Sequence, residues 1–141
     1  MDLSSVFAIS GAGMNLQQLR LEASASNLAN AQTTAPGSVA YRPLQVVAHG
    51  AQAAAFEALL NASSLVPTDV SVVESDAPPR MVYDPGHPDA DSRGFVAYPD
   101  VSPVSEMVRL VEISRAYEAN VRAMNLAKAM AQKALEIGAE R

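Results

Sequence analysis

The 141-residue chain contains no cysteine and no tryptophan, and only 5% of it is aromatic. Without cysteine there is neither a disulfide framework nor a thiolate metal site. With two histidines and no Gly-x-Ser-x-Gly elbow, the usual nucleophile-and-base arrangements have no material either. The sequence therefore does not read as an enzyme and calls for no cofactor. The opening stretch Met1–Val6 lacks a basic, then apolar, secretory signal, so export is expected without a cleaved signal peptide of that kind. The uncharged run Leu3–Leu19 is interrupted by Ser, Gly, Asn and Gln, which makes it a poor membrane span. No basic stripe marks a nucleic-acid partner.

What is present is unevenly spread. All nine prolines fall in residues 36–103. The net charge of −5 divides into −1 over residues 1–68, −5 over 69–100 and +1 over 101–141. The middle is thus the acidic, solvated part and the ends are nearly neutral. This predicts an α+β chain in three parts: an N-terminal helix within 1–35, a small β-rich, loop-rich unit over 36–103, and a C-terminal heptad helix over 104–141. The two helices are expected to pack as an antiparallel, coiled-coil-like pair.

From Leu3 to Asn30 the residues read as a helix with two apolar stripes. Ile9, Ala12, Leu16, Leu19 and Ala23 form one; Leu3, Phe7, Met14, Leu21 and Leu28 form the other, with Asn15, Gln17, Glu22 and Ser24 on the edges between. One stripe suffices to cover a chain's own core, so two imply neighbours on both sides. Gly11 and Gly13 each cost on the order of 1 kcal/mol in a helix interior. They are read as places of close helix approach, since a nucleotide loop would need a preceding strand. Asn27 and Asn30 suit C-capping before Pro36-Gly37.

The middle offers strand composition at Val39–Val47, Val70–Val73, Met81–Tyr83 and Phe95–Tyr98, and a short helix or insert at Ala51–Ala62. Asp84, His87, Asp89 and Asp91 raise a metal-binding alternative, because the acids from Asp89 partly echo a calcium loop. Against it, Arg93 stands at a ligand position, and Pro85 and Pro88 suit a rigid turn with solvated acids. The last segment is expected to be a helix from Pro103, stopped by Gly138. Its apolar line runs Met107, Leu110, Ser114, Tyr117, Val121, Met124, Lys128, Ala131 and Leu135, with Ser114 and Lys128 as polar breaks, and a second stripe at Leu126, Met130 and Ile137.

Ser26-Asn27-Leu28-Ala29-Asn30-Ala31 and Ser114-Arg115-Ala116-Tyr117-Glu118-Ala119-Asn120 resemble the two terminal signatures of the axial rod and hook proteins of the bacterial flagellum. The middle runs Val82–Asp91 and Gly94–Pro99 are similar to those of the proximal rod branch of that family. The chain departs from the pattern at residues 48–68 and at Asp100, where the family usually has Asn. The resemblance implies a structural subunit of the basal-body rod that crosses the periplasm, exported unfolded through the flagellar type III apparatus. It implies other proximal and distal rod proteins and the junction protein at the MS ring and export gate as partners, and torque transmission as the role. The assembly interface is expected on Phe7, Ile9, Met14, Leu16, Leu19, Leu21, Asn27, Leu28, Asn30, Met107, Leu110, Tyr117, Val121, Met124 and Leu135, with the isolated subunit monomeric. A free-standing coiled-coil adaptor is the other reading, and it should instead form a defined dimer.

Overall fold

The computed structural model describes residues 3–35, 40–49 and 69–139. Along the chain run α1 (Leu3–Ala29), β1 (Leu44–His49), β2 (Asp69–Glu74), β3 (Arg80–Tyr83), β4 (Phe95–Tyr98) and α2 (Pro103–Ala139). The α+β expectation holds: two long helices pack on each other and the strands between them form two small sheets. The suggested helix at Ala51–Ala62 lies outside the described residues.

α2 begins where local chemistry requires. Ser102 caps it, its hydroxyl accepting from Ser105 N–H at 3.4 Å and its carbonyl from Glu106 N–H at 3.0 Å. Pro103 fills the first helical position, where a missing N–H costs nothing. The expected stop at Gly138 is not one, because the helix runs through it to Ala139. Gly138 does not take the left-handed conformation that makes glycine a terminator. α1 ends on Asn30, whose side-chain amide donates to Ser26 O at 2.9 Å and whose own carbonyl accepts from Thr33 N–H at 3.0 Å.

The helices are antiparallel. Ser24 meets Glu106 near one end and Gly13 meets Asn120 further along. Continued in that register, Leu3 comes level with residues near 130, so roughly the last two turns of α2 run past the start of α1. There Leu135 and Ile137 are exposed.

β1 and β2 pair antiparallel with Leu44 opposite Glu74, Val46 opposite Val72 and Ala48 opposite Val70, and this sheet rests on α1. The strand expected over Val39–Val47 begins only at Leu44. Pro43 has no N–H for a ladder, although its carbonyl still accepts from Ser75 N–H at 2.7 Å. β3 and β4 form a hairpin with Met81 opposite Ala97 and Val82 opposite Val96. Val96, Ala97 and Pro99 are buried at its foot.

The hairpin loop is held by two carboxylates acting on backbone. Asp84 accepts from Gly86 N–H at 3.2 Å. Asp91 Oδ1 accepts from Arg93 N–H at 2.8 Å and Phe95 N–H at 2.9 Å, while its Oδ2 takes the Arg93 guanidinium at 3.2 Å. The Phe95 and Arg93 amides and the Arg93 charge favour the ionised form, so the Asp91 pKa falls below the ordinary 3.8 despite some desolvation. Gly94 sits at φ +83°, and a Cβ there would lie 3.0 Å from Tyr83 Cε2 and 3.2 Å from Pro85 Cβ.

Two tests follow from the loop. Gly94→Ala combines left-handed strain with a clash and should cost about 2 kcal/mol in urea unfolding of the full chain; a midpoint unchanged from the parent would show that the loop has slack. Asp91 stabilises the fold only while ionised. Its contribution is full above pH 3.8 and disappears as the pH falls through the lower folded-state value. Asp91→Asn should therefore lower the melting temperature at pH 7, and the gap to the parent should close at strongly acidic pH. A gap independent of pH would contradict this.

Candidate assembly interface

The face that α1 turns to α2 is neither of its apolar stripes. Ser10, Gly13, Gln17 and Ser24 recur at helical spacing and run along the contact, with Ser10 and Ser24 buried. The stripes flank this polar seam. On one, Ala23 is buried, Ala12, Leu16 and Leu19 are half-buried and Ile9 is exposed; on the other, Phe7, Met14 and Leu28 are half-buried and Leu21 is exposed. The chain itself covers each stripe only in part.

α2 meets the seam with two heptad lines. One is Leu110, Tyr117, Met124 and Ala131, within the expected apolar line. The other is Glu106, Ile113, Asn120 and Ala127, one residue before the expected Met107, Ser114, Val121 and Lys128. Here the expected register needs correction. Met107, Ser114, Lys128 and Leu135 are exposed and Val121 is half-buried, so Lys128 and Ser114 are not polar breaks in the contact with α1. The Ser114 hydroxyl donates to its own helix at Leu110 O, 2.8 Å away. The shift arises because Glu106 and Asn120, passed over as polar, occupy seam positions: Glu106 is only 5% exposed, and Asn120 lies over Gly13. A hydrophobicity pattern cannot place a buried acid. The short Ser24 and the missing Gly13 side chain opposite were the available signals.

Glu106 is fully engaged. Ser24 Oγ donates to its Oε2 at 2.7 Å and Arg109 Nη1 to its Oε1 at 2.7 Å. Gly13 has a packing role, since a Cβ there would come within 2.9 Å of Asn120 Oδ1. Gly11 faces open space. Beside the seam, Gln17, Leu21, Ile113 and Tyr117 line an open groove of about 470 Å³.

The segment Ser26–Ala31 performs two separate tasks. Asn30 caps α1, as expected. Asn27 does not cap: it is 2% exposed and its amide pairs with the backbone of Leu44, accepting from Leu44 N–H at 2.7 Å and donating to Leu44 O at 2.9 Å. It thereby stands in for a neighbouring strand at the start of β1. Tyr41 OH donates to the same Asn27 oxygen at 3.0 Å and lies 3.1 Å from Ser26 Oγ. A second tie joins the end of α1 to the hairpin loop, Thr34 Oγ1 donating to Asp89 Oδ2 at 2.7 Å.

That loop offers no metal centre. Among the described residues, no three His, Asp or Glu side chains converge on a common point. Asp84 and Asp91 hold backbone N–H groups and Asp89 holds Thr34, while His87 Nδ1 accepts from Asp89 N–H at 3.1 Å. The metal alternative at Asp84–Asp91 is therefore withdrawn, because these side chains are engaged in shaping the turn.

The outer side of α2, opposite the seam, carries a stripe that sequence reading missed. Val104, Met107, Val108 and Val111 follow helical spacing and are all exposed, Val104 by 72% and Val108 by 54%. Further along, the expected second stripe of Leu126, Met130 and Ile137 is exposed as well. Arg122, paired with Glu118 at 3.5 Å, lies between the two groups.

Two long helices that meet through small and polar residues of α1 and leave apolar faces open, joined by a small β unit, have the architecture of a structural assembly protein. Residues 7–36 match the family described as flagella basal body rod protein, and residues 92–137 match the C-terminal family of flagellar basal body rod FlgEFG proteins. The flagellar basal-body rod proteins FlgC of Escherichia coli O6:H1 and Salmonella typhimurium are each 41% identical to the chain, over 98% of it and 99% of their own length. That of Bacillus subtilis is 39% identical over 92% of the chain and 94% of its own length. The chain belongs to the FlgC family of flagellar basal-body rod proteins.

Asn27→Ala should leave Leu44 N–H and Leu44 O without their partner and Tyr41 OH with Ser26 alone, a loss on the order of 3 kcal/mol. Asn27→Asp keeps the acceptor and loses the donor, so it should fall between Ala and the parent. Urea unfolding of the full-length variants checks the order, and an Ala variant as stable as the parent would remove the clamp from the account.

Proposed function

We propose that the chain is a structural, non-enzymatic subunit of the flagellar basal-body rod, built into it through its terminal helices. The carrying observation is the pair of helices whose apolar faces are left open on the flanks of α1 and on the outer side of α2. A stable free-standing chain has little use for four exposed large side chains along the first turns of one helix. Membership of the FlgC family supports the reading.

At finer scale, residues 1–35 and 104–141 form the rod core and the acidic residues 36–103 its outer layer. Ile9, Leu21, Met107, Tyr117 and Leu135, exposed in the single chain, make the contacts to neighbours. The half-buried Phe7, Met14, Leu16, Leu19, Leu28, Leu110, Val121 and Met124 complete them. Asn27 and Asn30 act by shaping the end of α1. The subunit is exported unfolded through the type III apparatus. It sits in the proximal rod within the periplasm, contacts other rod subunits and the junction protein at the MS ring and export gate, and passes torque toward the hook. No helix among the described residues is long and apolar enough to cross a membrane.

Val108→Glu tests the outer stripe. The site is exposed and faces away from α1, so stability of the isolated chain should change by less than about 0.5 kcal/mol. Swarming of a strain relying on the variant, and its recovery in purified basal bodies, should both be lost. Normal swarming with normal incorporation would show that the stripe is not an assembly surface.

A further inference from the structure

The terminal helices face an alignment problem that their apolar residues do not solve. Leu110, Tyr117, Met124 and Ala131 repeat every seven residues along α2, and Ser10, Gln17 and Ser24 repeat every seven along α1. Sliding one helix by a heptad brings like opposite like, and apolar packing alone separates such alignments weakly. In an assembly of many similar helices the same ambiguity extends to helices of other subunits. Two contacts in the seam do not repeat. Glu106 is a buried carboxylate whose Oε2 is held by Ser24 Oγ at 2.7 Å, and Asn120 occupies the space left by the absent side chain of Gly13.

We propose that Glu106 with Ser24, together with Asn120 over Gly13, is the register key of the terminal helix pair, admitting one antiparallel alignment and rejecting those displaced by a heptad. The two contacts guard opposite directions. Sliding α2 one heptad toward the C-terminus of α1 carries Glu106 past the end of that helix at Ala29 to the level of Ala31, which has no side-chain donor, and a carboxylate deprived of its partner there is unfavourable. Sliding it toward the N-terminus sets Glu106 opposite Gln17, whose amide could replace Ser24. That same shift sets Asn120 against the branched side chain of Val6, where Gly13 had left room. Arg109, with 60% of its side chain exposed, moves with Glu106 on the same helix and cannot distinguish registers. The discriminating partners are on α1. The inference deepens the assembly reading, in which a wrong alignment would propagate into the neighbours.

The absence of native cysteine makes the register directly readable. Gln17 and Tyr117 line the same groove, so Gln17→Cys with Tyr117→Cys reports the native alignment. Gln17→Cys combined with Leu110→Cys or with Met124→Cys reports a slip of one heptad either way. The three full-length pairs are expressed in a motile host lacking its own copy, treated with a short thiol-to-thiol crosslinker, and analysed by mass spectrometry. With Glu106 present, the 17–117 product should dominate. Glu106→Leu should raise the slipped products at least about tenfold relative to it, and Glu106→Gln, which can still accept from Ser24, should restore the native pattern. Native-register crosslinking unchanged in Glu106→Leu overturns the proposal. If that variant gives no intrachain crosslinks, Ser24→Ala decides: slipped products above the parent level support the key, and none above it overturn it. Register is read on the chain whether or not it enters a rod. Native-register crosslinks in a chain absent from basal bodies would therefore count against the rod reading alone.

Discussion

The contact on which the rest of the structure depends is the antiparallel pairing of α1 with α2, to which α1 brings small and polar residues. Had α1 presented one of its leucine stripes to α2, that stripe would have been consumed and the other left as a simple outer face. Instead Ser10, Gly13, Gln17 and Ser24 make the contact, and the stripes remain half-covered on either side. Small residues let the backbones approach, as the fit of Asn120 over Gly13 shows. They also bury little apolar area, which at about 25 cal/mol per Å² limits how strongly the pair can hold by itself. Much of the apolar surface of the two helices is thus left uncovered by the pair itself.

That arrangement explains the placement of polar interactions elsewhere. A weakly driven pair needs directional contacts to be specific, and Glu106 supplies one in the seam. At the end of α1, Asn27 and Thr34 reach two different parts of the middle unit, the first strand and the hairpin loop. α2 begins only a few residues after β4. The middle unit is therefore attached at the same end of the helix pair by both chain crossings and by two side-chain ties.

Much of this was legible in the residues. Nine prolines confined to 36–103 separated the helical ends from the strands, and Pro103 and Asn30 marked helix boundaries correctly. The two stripes of α1 were visible, but the inference from them stopped short. Periodicity finds apolar faces and is silent on which face a partner within the chain will take, so a polar seam is invisible to it. The same blindness moved one heptad line of α2 by a residue, because Glu106 and Asn120 are polar and stand outside any apolar line. Gly138 failed as a stop because glycine permits a left-handed terminus without imposing one. The strand start at Leu44 depended on Asn27, a partner far away in sequence, and no local propensity could supply it.

The role of Asn27 shows how a short sequence signature can carry a long-range geometric requirement. An isolated strand end needs a partner for both its N–H and its C=O, and a carboxamide is the side chain that offers an acceptor and a donor side by side. An aspartate could accept from Leu44 N–H but not donate to its carbonyl, and a serine hydroxyl, which can do either, is shorter than the carboxamide. The position must also fall one turn before the end of α1, where the chain has room to double back through Tyr41. Asn30, three residues on, lies near enough to cap the helix and too late to meet β1. Two asparagines in one motif thus answer two different demands, and exchanging their tasks would require β1 to start elsewhere relative to α1. The signature at the end of α1 is in this sense a description of the corner at which the helix pair meets the β unit.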